Sequence, residues 1–182
     1  MELKNKIVWI TGASSGIGEA LCYKLNQAGV KLIISSRNSE GLYQVKNKCM
    51  NNQLDVHVLP LDLENSPELE EKANTALNIF GRIDMIIHSG GVSQRSLAMD
   101  TDLDVAQKIM NINFWGAVIL TKALIPSMLS NQSGHIVIIS SLVGKFGTKY
   151  RSAYSASKHA PHGYFDSLRS EIDSGIKLSL IC

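Results

Sequence analysis

The chain has 182 residues, 45% hydrophobic and 19% charged, with a formal net charge of +2. This is the composition of an ordinary globular protein with one core, so a single domain over residues 1–182 is expected. Its Lys and Arg residues are scattered, with no run of five or six, which excludes a nucleic-acid or anionic-membrane footprint and favours a small diffusible substrate. In chain order, short runs rich in Ile and Val predict strands at 6–11, 30–35, 55–60, 83–88, 135–140 and 176–181. Segments of helical period fall between them at 16–28, 39–51, 66–79, 102–130 and 153–173. The region 102–130 exceeds an ordinary helix and reads as two segments meeting near Asn111 to Asn113. Several strands are apolar at nearly every position, as in a parallel sheet covered on both faces. The fold expected is α/β, a Rossmann-type doubly wound parallel sheet in the order 3-2-1-4-5-6.

Cys22, Cys49 and Cys182 form no CxxC pair and have no clustered His or carboxylate neighbours, which argues against a zinc site or a disulfide framework. They read as reduced thiols in a cytoplasmic protein. The first apolar run, IVWI at 7–10, is too short for a signal-peptide core or a membrane span, so no membrane anchor is expected.

TGASSGIG, residues 11–18, follows the first strand and opens the first helix. Gly12, Gly16 and Gly18 permit a tight turn and let a pyrophosphate approach backbone N–H groups at a helix N-terminus, with Ile17 in the same turn. The hydroxyls of Ser14 and Ser15 add donors. A plain Ser-capped turn would use the same residues, but the position directly after the first strand favours a nucleotide site. After the second strand, an NAD-selective site usually places a carboxylate for the ribose 2′-hydroxyl, and here stand Ser36 and Arg37. A guanidinium there can pair with a 2′-phosphate, which points to NADP (NADPH) as cofactor. Asp62, followed by Leu63, either accepts from the adenine amino group or caps the helix that follows.

Tyr154 and Lys158 in YSASK stand four apart and share a helical face. A free tyrosine titrates near pH ~10, and a nearby ammonium favours its phenolate form. Such a pair can take a proton from an alcohol or give one to a carbonyl oxygen. Pro161 falls in the interior of the same predicted helix, where it removes one hydrogen bond, so a bend or a broken hydrogen-bond step is expected around 157–161.

TGASSGIG at 11–18, SGGV at 89–92, NFWG at 113–116, HIVIISS at 135–141 and YSASK at 154–158 occur in one order and spacing. Together they resemble the short-chain dehydrogenase/reductase superfamily from residue 4 to the last residue. SGGVSQRSLAMDTDLD at 89–104 looks like the dehydrogenase/reductase member 7-like subgroup, whose members are associated with steroid, retinoid or other carbonyl substrates. The resemblance implies an oxidoreductase that interconverts a carbonyl and an alcohol. It makes Tyr154 the general acid/base, and Lys158 its activating cation and ribose ligand. Ser141 would be the hydrogen-bond partner of the substrate oxygen, and Asn113 the holder of a water linking Lys158 to solvent. It also implies cofactor contacts from Ser89, Gly90 and Gly91, and a homodimer or homotetramer packed through the helix that carries Tyr154. Two departures stand out. The family's usual N-N-A-G is replaced by His88, Ser89, Gly90 and Gly91, so a strand-tying asparagine gives way to Ser89. The family also continues past the sixth strand with a Pro-Gly turn, a substrate loop and a seventh strand, so this chain reads as truncated before that strand. The competing reading is a non-catalytic dinucleotide-binding sensor or scaffold.

Overall fold

The computed structural model describes residues 3–49, 55–172 and 175–182. Six parallel strands form one sheet in the order β3-β2-β1-β4-β5-β6, as the sequence pattern predicts. The strands are β1 (Ile7–Thr11), β2 (Lys31–Ser35), β3 (Val56–Val58), β4 (Met85–His88), β5 (Gly134–Ile139) and β6 (Ile176–Ile181). The helices are α1 (Gly16–Gln27), α2 (Ser39–Lys48), α3 (Ser66–Phe80), α4 (Leu103–Met110), α5 (Gly116–Ser130) and α6 (Ser152–Glu171). The ends predicted at 51 for the second helix and 173 for the last lie outside the described residues.

The central strands β1, β2 and β4 are buried on both faces because alternate side chains of these apolar strands serve two cores. Trp9 and Ile7 of β1 pack on one side with Ala73 of α3, Leu120 and Leu124 of α5 and Phe165 of α6. Val8 and Ile10 pack on the other with Cys22 of α1 and Leu42 and Val45 of α2. The one polar atom of Trp9 is satisfied inside, where Nε1 donates to Ser35 Oγ at 2.9 Å.

β3 is shorter than its apolar run. Pro60 has no N–H to give, yet Leu59 and Leu61 still donate to Ile34 and Ser36 of the neighbouring strand path, so the chain keeps its course toward the carboxyl edge.

Residues 102–130 differ more from expectation. The helix does not break near Asn111 to Asn113: α4 and α5 are continuous through one π-helical stretch, Asn111–Trp115. The whole span, Leu103–Ser130, is long and apolar enough to cross a membrane, but Val118, Leu120, Leu124 and Met128 lie buried against the sheet, as in a core helix. A π-turn inserts one residue and rotates the side chains that follow, and such turns concentrate at functional sites. Here it turns Asn113 inward, where it is buried.

Pro161 does lie inside α6, which runs through it from Ser152 to Glu171. The broken step is confined to the Ser157 carbonyl, which has no N–H to receive from position 161. Pro126 occupies a similar interior place in α5.

Candidate active site

At the carboxyl edge of the sheet, β1 and β4 are adjacent where the strand order reverses, the place at which open parallel sheets bind ligands. A cavity of about 610 Å³ opens there, within the range of small-molecule sites. Gly12, Ser14, Ser15, Gly16 and Ile17 form one wall, Ser36, Arg37, Asp62 and Leu63 a second, and Ser89, Gly90 and Gly91 a third. Of the predicted cofactor residues in the glycine turn, only Gly18 is not on the wall. It packs beneath, where a β-carbon would collide with the Gly12 carbonyl oxygen.

The turn at Gly12 runs with φ of 68°, and a β-carbon there would sit 2.6 Å from the Gly90 backbone. The glycine therefore lets the loops after β1 and β4 touch. Gly16 has φ of 58° and nothing within 4 Å of the place a β-carbon would take, so it faces open space. α1 starts here, and Ser15 gives it no side-chain cap, which leaves the first N–H groups aimed at the cavity. Free donors, an open glycine and the positive end of a helix fit the pyrophosphate of a dinucleotide.

On the second wall, Arg37 is half exposed, with Asp62 Oδ1 at 3.9 Å from Nε and Glu64 Oε2 at 4.0 Å from Nη1. Asp62 accepts from the Glu64 N–H at 3.0 Å and so shapes its own turn. The N-cap of α3 is Asn65, which leaves Asp62 as a wall residue and not as the helix cap. Asn38, which the motifs do not single out, also lines the cavity and caps α2 by accepting from the Gly41 N–H at 3.0 Å. The Asn-x-x-Gly spacing before α2 was the available signal.

Beside the third wall lies a cluster of polar side chains. Asn113 Oδ1 accepts from the Val92 N–H at 2.8 Å, while Nδ2 donates to Val92 O at 2.8 Å and to Ser157 Oγ at 2.9 Å. Both Nδ2 hydrogens are thus committed to holding the loop after β4 against α6. A β-carbon on Gly91 would come 3.2 Å from Asn113 Oδ1 and 3.7 Å from Lys158 Nζ, so the cluster packs directly against Gly91 on the cavity edge, while Asn113, Ser141, Tyr154 and Lys158 are not themselves on the cavity wall.

Lys158 is only 7% exposed, and burial pushes its ammonium below the usual lysine range. Nζ donates to Ile139 O at 3.0 Å and lies 5.9 Å from the centre of the Tyr154 ring. Ile139 ends β5, and Ser141 follows two residues later as the cap of a short turn, Leu142–Gly144, accepting from the Val143 N–H at 3.4 Å. The Lys158 bond thereby sets Tyr154 and Lys158 beside the strand end that leads into Ser141.

The substitutions after β4 are accommodated differently. His88 Nε2 is 2.9 Å from Thr121 Oγ1 in the core, and complete burial pushes its imidazole down to about 3. Ser89 makes no side-chain hydrogen bond among the described residues, so the strand-tying role of the usual asparagine is not taken over by it.

A glycine turn on a helix N-terminus and a buried Lys beside a Tyr thus flank one carboxyl-edge cavity. The chain is 44% identical over 187 residues to human dehydrogenase/reductase SDR family member 7, covering 100% of this chain and 55% of that protein. It is 44% identical over 177 residues to the family protein 7-like of Drosophila melanogaster, covering 94% of this chain and 54% of that one. It therefore spans about half the length of these curated relatives. Among solved structures, a short chain dehydrogenase/reductase from Burkholderia phymatum in complex with NAD superposes with a TM-score of 0.94 at 24% identity, over 100% of this chain and 66% of that one. A variant of actinorhodin polyketide ketoreductase with NADPH gives 0.92 at 25% identity, over 98% and 69%. The short chain dehydrogenase family model matches residues 6–182, which is nearly the whole chain, and the protein accordingly belongs to the short-chain dehydrogenase/reductase family.

Proposed function

We propose that the protein is an NADP-dependent oxidoreductase that interconverts a carbonyl and an alcohol, with Tyr154, Lys158, Ser141 and Asn113 as its working set. The buried Lys158 ammonium, 5.9 Å from the Tyr154 ring and next to Gly91 on the cavity edge, carries this reading. A buried cation is costly unless it is paired or used, and here a single backbone carbonyl is its only hydrogen-bond partner among the described residues. A phenol that must carry negative charge during proton transfer gives that cation a use.

NADP, when bound, supplies or accepts the hydride. Tyr154 gives its phenolic proton to the carbonyl oxygen in reduction and takes it back in oxidation. Ser141 Oγ hydrogen-bonds the same oxygen and orients it, and Lys158 stabilises the charge developing on the phenol and holds the nicotinamide ribose. Asn113 fixes the loop that carries Gly91, and any water held by its side chain must donate to Oδ1 because both Nδ2 hydrogens are taken. The test is Tyr154→Phe in the full-length protein: carbonyl reduction should fall by about 10² to 10⁴ with NADPH binding retained. Wild-type turnover in that variant would favour a dinucleotide-binding protein without catalysis.

Preference for NADP is supported by Arg37 on the cavity wall with no carboxylate at position 36. Its ion pairs to Asp62 and Glu64 are long and solvent-exposed, so a 2′-phosphate can displace them at little cost. Calorimetric titration should give tighter binding of NADPH than of NADH, and Arg37→Ala should abolish the difference. Equal affinities in the wild type would remove Arg37 from this role.

We also propose a cytoplasmic homo-oligomer, a homodimer or homotetramer, built on the outer face of α4 and α6. Leu103 and Trp115, 71% and 46% exposed, flank a groove with Met110, Ala153 and Ala156. Charged residues at Leu103 and Ala156 should lower the mass measured by sedimentation.

A further inference from the structure

The first four N–H groups of a helix lack intrahelical partners, and a side chain at the N-cap normally takes the one at the second or third position. α6 begins at Ser152, and its N-cap, Arg151, supplies no such bond. The residue before it, Tyr150, has φ of 67°, in the left-handed region that a non-glycine residue rarely enters. Its carbonyl accepts from the Ser96 N–H at 3.2 Å and is turned away from the helix. Regular helical bonding starts with the Ser155 N–H on Arg151 O, at 2.7 Å. The N–H of Tyr154, third residue of the helix, is therefore left to an outside partner.

That partner is Gln94, whose Oε1 accepts from it at 3.0 Å. Chemistry fixes the orientation of the amide: a peptide N–H can only donate, so Oε1 faces Tyr154, and Nε2 donates to Ser152 Oγ at 3.4 Å. The neighbouring Ser93 Oγ accepts from Arg151 Nη1 at 2.7 Å, and the Arg151 guanidinium lies 5.7 Å from the centre of the Tyr154 ring. Gln94 thus grips the first turn of α6, while Ser93 and Ser96 hold Arg151 and Tyr150 just before it. Residues 93 and 94 follow directly on Gly91 and Val92, which border the cavity, and Val92 is tied to Asn113.

We propose that Gln94 is a positioning residue for Tyr154: it caps α6 from the loop after β4, and so sets the height and angle of the phenol against the cavity. This rests on the role given to Tyr154 under the proposed function. The cap and that role are separable by experiment.

Full-length Gln94→Ala and Gln94→Glu would be compared with wild type. Glutamate keeps the acceptor oxygen and adds a charge favourable at a helix N-terminus, whereas alanine removes the cap. Hydrogen exchange at the Tyr154 amide, followed by NMR, needs no turnover. It should speed up about fivefold to tenfold in Gln94→Ala, the usual loss for a missing cap, and stay near wild type in Gln94→Glu. With a carbonyl substrate and saturating NADPH, kcat should fall by a similar factor in Gln94→Ala and recover in Gln94→Glu, with the NADPH dissociation constant unchanged. Unchanged exchange in Gln94→Ala would overturn the cap, and equal loss of kcat in both variants would overturn the positioning role. A wild type without turnover, but with exchange altered as expected, would sink the proposed function and leave the cap standing.

Discussion

The Lys158 ammonium hydrogen-bonds the Ile139 carbonyl at 3.0 Å, joining the second turn of α6 to the last residue of β5. The contact is unusual because a lysine, the residue most easily kept in water, is taken into the interior to meet one neutral acceptor. Such a placement opposes stability, because burial disfavours the charged form and pushes the ammonium below the usual lysine range.

Lys158→Met, similar in length and apolar, should therefore lower turnover by at least about 10² while leaving the melting temperature within a few degrees of wild type. NADPH affinity should fall as well, since the same ammonium is assigned the ribose. Paired thermal unfolding and kinetic measurements check this. A large drop in melting temperature would show that the residue is held for stability instead.

Asn113 presents the opposite balance. Its buried side chain makes three hydrogen bonds, two to the part-buried Val92 backbone and one to Ser157. Asn113→Ala should cost about 1–3 kcal/mol in urea unfolding, because it leaves the part-buried Val92 N–H and carbonyl without their partner. Asn113→Asp keeps the acceptor for the Val92 N–H but loses both donors, and should recover only part of that loss.

The strands, the glycine turn and the Tyr154–Lys158 face could be read from the chain, because each rests on local periodicity or on residues a few positions apart, and the strand order followed from the general rule for alternating strands and helices. The π-turn could not. Apolar spacing on either side of Asn111 looks helical whether the intervening stretch breaks or widens, and only packing against α6 decides that Asn113 turns inward. Gln94 left no local trace either, since its partner lies 60 residues on and the need for it arises from the left-handed Tyr150. The nearness of Arg37 to Asp62 follows from topology: β2 and β3 are parallel neighbours, so their carboxyl-end loops meet.

His88 gives a pH prediction. Burial pushes its imidazole down to about 3, whereas the unfolded chain binds a proton near 6.5. Between those values the unfolded state holds the extra proton, so stability is full above pH ~6.5, declines as pH falls, and levels off near the folded value. The contribution of this one group approaches about 1.4 kcal/mol per pH unit inside the window. His88→Asn retains an amide for Thr121 and cannot titrate. The fall in unfolding free energy from pH 6 to pH 4 should be shallower in that variant, and parallel curves would mean that His88 is protonated in the folded protein.

The three glycines of the first turn should separate by experiment into two kinds. A β-carbon on Gly12 would meet the Gly90 backbone at 2.6 Å, and one on Gly18 would strike the Gly12 carbonyl oxygen, so neither position can yield without moving main chain. Gly12→Ala and Gly18→Ala should lose stability and dinucleotide binding together. Gly16 differs, since it shares the left-handed φ of Gly12 but has nothing within 4 Å of the added carbon. Gly16→Ala should cost only the backbone strain, about 1–2 kcal/mol in unfolding free energy. Its methyl group would nonetheless stand in the cavity, where the pyrophosphate must approach the free N–H groups of α1. NADPH affinity should therefore drop at least about tenfold in a protein that remains folded, a difference of roughly 1.4 kcal/mol. Circular dichroism and calorimetric titration on the three variants read the two effects separately. Wild-type affinity in Gly16→Ala would move the pyrophosphate away from this turn.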